Sequence, residues 1–458
     1  KPQWAYDIYA PFSNKTVSAF SVFLRIRAAA VAPPATPPTI TYFIFFLLIL
    51  YYHYFPIETF AKNAFNLQLN KFPAENFPSL RFFRKHEQKQ FTPPQIPEFI
   101  VIFANEPQNH GYMTDFAPSV LLIYTGGTIG MIENPETGAL ESFNFDHLLN
   151  FVPELKRFNY HINTYSFDPP IDSSDMEPYH WARLARIVER NYEQYDGFVI
   201  LHGTDTMAYT ASALSFMLEN LSKPVVLTGS QLPMGMLRTD GKENLITAIE
   251  IAAAKHPDGT AMVPEVCIYF ERDLMRGNRT TKINAEKFNA FKSYNYPCLG
   301  HSAIDIKIKP ERIRRPDASR PLKAHYLFDT NVVVLTLFPG IQESIITSVF
   351  NIKGLKAVVM KTFGSGNAPQ KPWFIKLIKE AAERNIIIIN ITQCQSGSVE
   401  MERYETGRQL LEAGVISGYD STPECALTKL MFLLGHDLPP EEVRRLMNTN
   451  LAGEITLE

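Results

Sequence analysis

The sequence predicts a doubly wound α/β fold, and three observations carry that reading. Continuous apolar runs recur from residue 119 onward, stripes of apolar residues at 3–4 spacing fill the gaps between them, and glycine-rich polar loops close the early runs. Ser119–Thr125 is the first run, ended by Gly126 and Gly127. Gly197–Leu201, Pro224–Thr228 and Glu265–Phe270 repeat it, followed by Val332–Leu337, Ala357–Met360 and Ile386–Ile391. A run that is apolar at every position, rather than at alternate ones, suits a strand buried on both faces of a parallel sheet.

The helices lie between these runs. Trp181, Leu184, Ala185, Val188 and Tyr192 form one stripe, with the i, i+3, i+4 spacing of a helix face. Similar stripes occur in 207–220, 239–254, 371–384 and 422–435. Ser421-Thr-Pro-Glu424 reads as a capping box with proline in the first turn. The rhythm breaks at Lys307–Lys323, which holds nine charged residues and three prolines. That stretch is expected to link a larger domain, 113–306, to a smaller one, 324–458.

Residues 1–112 differ from the rest. The 458-residue chain has no glycine, cysteine or methionine before residue 111, and its first methionine is Met113. Average usage would put about eight glycines in that stretch. No charge falls between Arg27 and Glu58, and Tyr42–Leu50 is an unbroken apolar run at the short edge of a spanning helix. Two readings stand. The segment is translated upstream sequence, with the protein starting at Met113, or it is a genuine extension with a membrane anchor at about 40–55.

Composition narrows the class. Lys and Arg number 44 against 47 Asp and Glu, a net charge of −3, so no basic excess points to nucleic acid. Apolar residues make up 45% and charged residues 20%, which suits a packed globular chain. Four cysteines, with no C-x-x-C pair, exclude a disulfide scaffold and favour a reducing compartment. There is no G-x-x-x-x-G-K-[ST], H-E-x-x-H or G-x-S-x-G, and no complete G-x-G-x-x-G. The 11 histidines show no ligand spacing, so no metal or other cofactor is expected.

Chemistry is expected at the carboxyl ends of the strands. Thr125-Gly-Gly-Thr-Ile-Gly130 follows the first run, and His202-Gly-Thr-Asp-Thr206 follows the second. Their glycines let the backbone approach a ligand and turn N–H groups toward it. Taken singly, each loop reads first as a strand-to-helix turn with Thr or Asp as cap. Together, in one sheet, they point to a site. Arg276-Gly-Asn-Arg-Thr-Thr-Lys282 adds a lysine, which needs burial or a neighbouring cation such as Arg279 to act as a base. On pattern alone a solvated basic turn is the simpler reading. Ile171-Asp-Ser-Ser-Asp-Met176 offers hydroxyls and carboxylates for a zwitterion, or a helix N-terminus. The residues by themselves support a threonine-centred small-molecule site without a metal.

These elements, in this order, closely resemble the bacterial type I L-asparaginases over residues 118–458. The resemblance is carried by TGGTIGM at 125–131, DSSDM at 172–176, DGFVILHGTDTMAYTASALSFMLENL at 196–221, LTGSQ at 227–231, RGNRTTK at 276–282, GNAPQ at 366–370 and TQC at 392–394. It implies a two-domain α/β fold and hydrolysis of L-asparagine to L-aspartate and ammonia. It also implies a cytoplasmic homotetramer built as a dimer of dimers. By this resemblance Thr128 is the nucleophile, Thr204, Asp205 and Lys282 are the second catalytic set, and Asp172, Ser173, Thr204 and Asp205 hold the substrate. The family's lid tyrosine has no counterpart in Glu136–Glu141, which leaves the base for Thr128 open. A regulatory second asparagine site would use Lys361, Asn367, Thr392 and Cys394. There Lys361 replaces the family's arginine and lacks its bidentate fork. Two other functions remain: the glutamine-deamidating subunit of a tRNA amidotransferase, and a catalytically silent amino-acid sensor.

Overall fold

A computed structural model describes residues 117–133, 140–142, 152–403 and 405–457. The expectations for residues 1–112, and most of the Glu136–Glu141 stretch, lie outside the described residues. No helix among the described residues is long and apolar enough to cross a membrane.

Two sheets organise the chain. The first has eight strands: β1 (Ser119–Tyr124), β2 (His161–Ser166), β3 (Gly197–Leu201), β4 (Val225–Thr228), β5 (Val266–Phe270), β6 (Asp273–Arg276), β7 (Gly300–Ser302) and β8 (Ile306–Ile308). Their spatial order is β8-β7-β6-β5-β4-β3-β1-β2. β2, β1, β3, β4 and β5 run parallel, whereas β6, β7 and β8 are antiparallel additions. The sheet is therefore mixed and not wholly parallel. Only two residues, Glu271 and Arg272, separate β5 from β6, and so short a connection can only reverse the chain. Glu271 takes a left-handed φ of 57° there, and its amide is held by Asn244 Oδ1 at 2.9 Å.

The second sheet is parallel throughout, in the order β9 (Val332–Thr336), β10 (Ala357–Thr362), β11 (Ile387–Thr392) and β12 (Ile416–Ser417). Among the described residues, eight helices complete the frame: α1 (Pro178–Arg190), α2 (Met207–Met217), α3 (Gly241–Ala253), α4 (Glu343–Phe350), α5 (Pro372–Glu383), α6 (Glu405–Glu412), α7 (Pro423–Leu434) and α8 (Pro440–Met447).

The double-sided burial read from the apolar runs has a direct counterpart. In β1, Leu121 and Ile123 pack with Leu184 and Leu214 of α1 and α2. Val120, Leu122 and Tyr124 pack on the other face with Leu245 and Ile249 of α3. β10 and β11 repeat the arrangement, with Val358, Met360 and Ile388 on one face and Val359, Ile387 and Ile389 on the other. β9 departs from it. It is an edge strand, and Val334 is 43% exposed.

Two further expectations change. The cap of α7 is Thr422, not Ser421: its hydroxyl accepts from the Cys425 amide at 3.1 Å. Glu424 does not close a capping box and instead accepts from the Thr281 hydroxyl at 2.6 Å. Within the 307–323 stretch, residues 307–308 belong to β8. Further along, Asn220 donates to the carbonyls of Asp317 and Pro321, and Lys323 pairs with Glu219.

Candidate active site

Three loops converge beyond the carboxyl ends of β1 and β3. β1 leads directly into Thr125, whose amide and hydroxyl both donate to the Leu201 carbonyl at 3.0 Å, so the two strand ends are tied together. The Ile171 amide donates to the Thr125 carbonyl at 2.7 Å, bringing the third loop alongside. Thr206 Oγ1 donates to the Ser173 carbonyl at 2.7 Å, which joins the second and third loops.

Glycine is required where these loops meet. Gly127 has φ 91°, and a Cβ there would stand 2.6 Å from the Gly203 backbone. A Cβ on Gly203 would stand 2.4 Å from the Ser173 hydroxyl. Side chains are thereby excluded from the centre, and Thr128 sits at the start of a short 3-10 turn directly after Gly127. The Tyr124 ring supports this loop from below, where Gly130 leaves room for it.

Lys282 comes from far along the chain. Its ammonium donates to Thr204 Oγ1 at 2.8 Å and to Asp205 Oδ1 at 2.7 Å. Arg279, expected as the neighbouring cation, is instead paired with Asp420 at 2.8 Å and donates to the Gly453 carbonyl. Lys282 lies on a short ribbon with Phe291–Lys292, and the preceding Thr281 is fixed by Glu424 of α7. The smaller domain thus reaches the back of the site. Burial pushes the Glu424 carboxyl up, and its Oε2 has no hydrogen-bond partner.

Asp172 faces solvent. The Ser174 amide and hydroxyl both donate to it at 2.9 Å and hold its carboxyl below the usual range. Ser173 is buried behind it. Gln231, in the LTGSQ stretch, lies 3.5 Å from Thr204 Oγ1. Asp240 anchors that loop by accepting from the Gln231 and Leu232 amides.

One group beneath the site has no signal in local spacing. His202 is 1% exposed and contacts the Gly203 carbonyl through Nδ1 at 2.7 Å and Thr210 Oγ1 through Nε2 at 2.9 Å. Trp181 Nε1 can only donate, and it points at Thr210 Oγ1 at 3.0 Å. The Gly203 carbonyl can only accept, so the proton of the neutral His202 ring sits on Nδ1, and Nε2 accepts the Thr210 hydroxyl proton. Burial pushes His202 down to about 4, so the ring is neutral at physiological pH. The helical spacing of α1 marks Trp181 as apolar core, but nothing in the sequence reports the bond it makes 29 residues away.

Lys361 lies near the carboxyl end of β10 and Thr392 ends β11, with Asn367 and Cys394 in the loops that follow. Lys361 pairs in register with Ile391, and Thr362 with Thr392. Thr392 Oγ1 donates to the Gly364 carbonyl at 2.6 Å and accepts from the Cys394 amide at 3.0 Å. Asn367 Oδ1 accepts from Thr406.

Comparison with known proteins is consistent along the chain. Residues 119–314 match the asparaginase N-terminal family model, and residues 331–447 match the glutaminase/asparaginase C-terminal domain. The chain is 44% identical over 346 residues to L-asparaginase 1 of Escherichia coli K12, covering 74% of this chain and 98% of that protein. It is 41% identical to the 60 kDa lysophospholipase of Mus musculus, covering 74% of this chain and 62% of that one. The crystal structure of L-asparaginase I from Vibrio cholerae superposes with a TM-score of 0.68 at 42% identity, covering 74% of this chain and all of the other.

Proposed function

The chain belongs to the asparaginase family, and from that premise we propose that it hydrolyses the side-chain amide of L-asparagine to L-aspartate and ammonia. The observation that carries the reading is the Lys282 ammonium lying between Thr204 and Asp205, on a loop whose Gly203 abuts Gly127. That arrangement supports an acid–base set on a loop packed against the one that carries Thr128, the proposed nucleophile.

In this mechanism Thr128 Oγ1 attacks the amide carbon. The amide is a poor electrophile, and a covalent ester intermediate splits the hydrolysis into two easier steps. Backbone N–H groups freed by the glycines stabilise the oxyanion. The C–N bond breaks, and the leaving nitrogen takes a proton and departs as ammonia. Water then attacks the acyl ester, aided by Thr204, Asp205 and Lys282, and releases aspartate. Asp172 and Asp205 hold the substrate's α-amino group, while Ser173 serves its α-carboxylate.

Thr128→Ala is expected to abolish ammonia release from asparagine while leaving thermal unfolding nearly unchanged, because it removes one hydroxyl from a loop. Wild-type turnover in that variant would remove Thr128 from the mechanism. Lys282→Met is expected to cost at least about 100-fold, the usual scale for an acid–base group. A loss of only a few-fold would make its bond to Thr204 structural. Parallel assays with asparagine and glutamine separate this reading from glutamine deamidation, and silence toward both would favour a sensor.

Three finer elements belong to the same proposal: a cytoplasmic location, a homotetramer, and a second asparagine site at Lys361, Asn367, Thr392 and Cys394. Light scattering tests the assembly. A sigmoidal rate curve that becomes hyperbolic in Lys361→Ala would support the regulatory site.

A further inference from the structure

Asp273, Cys298 and His301 are none of the residues assigned above, and their ligating atoms all fall within 4.8 Å of one another. We propose that this cluster binds a divalent transition-metal ion of the zinc class, with water in the remaining position.

The backbone places the three groups together. Asp273 of β6 and His301 of β7 are directly opposite in an antiparallel ladder. Ser302 N donates to the Arg272 carbonyl next to them, which makes Asp273–His301 a non-hydrogen-bonded pair, the closer of the two cross-strand spacings. His301 Nδ1 and Asp273 Oδ1 are 2.6 Å apart. Cys298 approaches from the segment that leads into β7, three residues before His301. Gly300, between them, lets β8 come close: a Cβ there would stand 2.9 Å from the Lys307 carbonyl.

The donor set is the argument for the metal class. One thiolate, one imidazole and one carboxylate are mixed soft and hard ligands that suit tetrahedral zinc and cobalt(II) better than magnesium or calcium. Bond lengths of about 2.0–2.3 Å imply donor separations of roughly 3.3–3.7 Å in such a site. The ion must therefore widen the Asp273–His301 contact, while the Cys298 sulfur already lies within 4.8 Å of both partners. The His301 side chain is 51% exposed, so it can move and the site is open to solvent. Binding replaces the Cys298 S–H bond with a sulfur–metal bond and releases the proton to water. The ion would clamp β6 to β7.

The test is titration of the reduced, chelator-treated protein with cobalt(II) and then zinc. Expected are one equivalent of cobalt with a sulfur-to-cobalt charge-transfer band, displacement by zinc, and a rise in thermal midpoint with metal. Cys298→Ser should remove the band. His301→Ala should weaken binding by at least about tenfold, since losing even a supporting contact costs that much. Neither variant should change asparagine turnover in the metal-free protein. Absence of stoichiometric binding, or a sulfur–cobalt band that persists in Cys298→Ser, would overturn the proposal. If Cys298→Ser fails to fold, His301→Ala decides alone, and binding of unchanged strength would refute the site.

Discussion

Thr210 serves two buried polar partners with one hydroxyl, accepting from Trp181 and donating to His202. Thr210→Val keeps the shape and removes both bonds. Each buried group left unpaired costs about 1–3 kcal/mol, so denaturant unfolding should show a loss of roughly 2–6 kcal/mol. His202 also makes stability depend on pH. Its folded value of about 4 lies below the ordinary histidine value of 6.5. Between those values the unfolded chain binds a proton that the folded chain refuses, so stability falls as pH drops through the window. Its contribution amounts to about 3 kcal/mol, at roughly 1.4 kcal/mol per pKa unit. Unfolding free energies measured from pH 7 to pH 4 should fall by about that much, and His202→Gln should flatten the slope. Glu424 works in the opposite direction, because burial raises its carboxyl and its ionised form is the disfavoured one. Glu424→Gln keeps an acceptor for Thr281 and should leave neutral-pH stability equal or higher.

The loops and strands show how far a sequence discloses its own structure. β1, β3, β4, β5, β10 and β11 are legible because each carries a near-continuous apolar run, the pattern of a strand buried on both faces. β2 is not. Its HINTYS sequence is largely exposed at the sheet edge, so it carries no apolar run. β6, β7 and β8 are three or four residues long, too short for any period to register. The two site loops were legible from glycine beside threonine, yet the register between them is a tertiary fact. Gly127→Ala tests that contact. The added Cβ would meet the Gly203 backbone at 2.6 Å, at φ 91°, and must push the two loops apart. A displacement near 1 Å in a catalytic loop costs about 100-fold, so asparagine turnover should fall by that order while the fold persists. Gly259→Ala is the control. Its φ is 86°, with nothing within 4 Å of the new Cβ, so it carries backbone strain alone and should leave turnover unchanged.

Across the whole molecule, the last residues fasten the smaller domain to the strand that leads to Lys282. The Gly453 carbonyl accepts from Arg276 and Arg279, and the Ala452 carbonyl accepts from Asn278. Arg276 is in turn paired with buried Glu265 at 2.6 Å. Glu454 anchors this tail. It is fully buried, accepts from the Leu451 and Ala452 amides, and pairs with Lys429 at 2.5 Å. Burial alone would raise its carboxyl, but Lys429 and the two amides outweigh that and hold it below its usual value. A pair this deeply buried adds little net stability when intact, because each ion has lost its water, whereas removing one partner strands the other. Glu454→Gln leaves the Lys429 ammonium without a counter-charge and should destabilise by about 3–5 kcal/mol. Lys429→Met should cost a similar amount by stranding the carboxylate. The double variant removes both charges, so its loss should be clearly smaller than the sum of the two. Because the tail also carries the acceptors for Arg276, Asn278 and Arg279, Glu454→Gln should lower asparagine turnover at a temperature where the protein is still folded. Unchanged turnover there would show that the tail stabilises the chain without positioning Lys282, and additive losses in the double variant would show that Lys429 and Glu454 act independently.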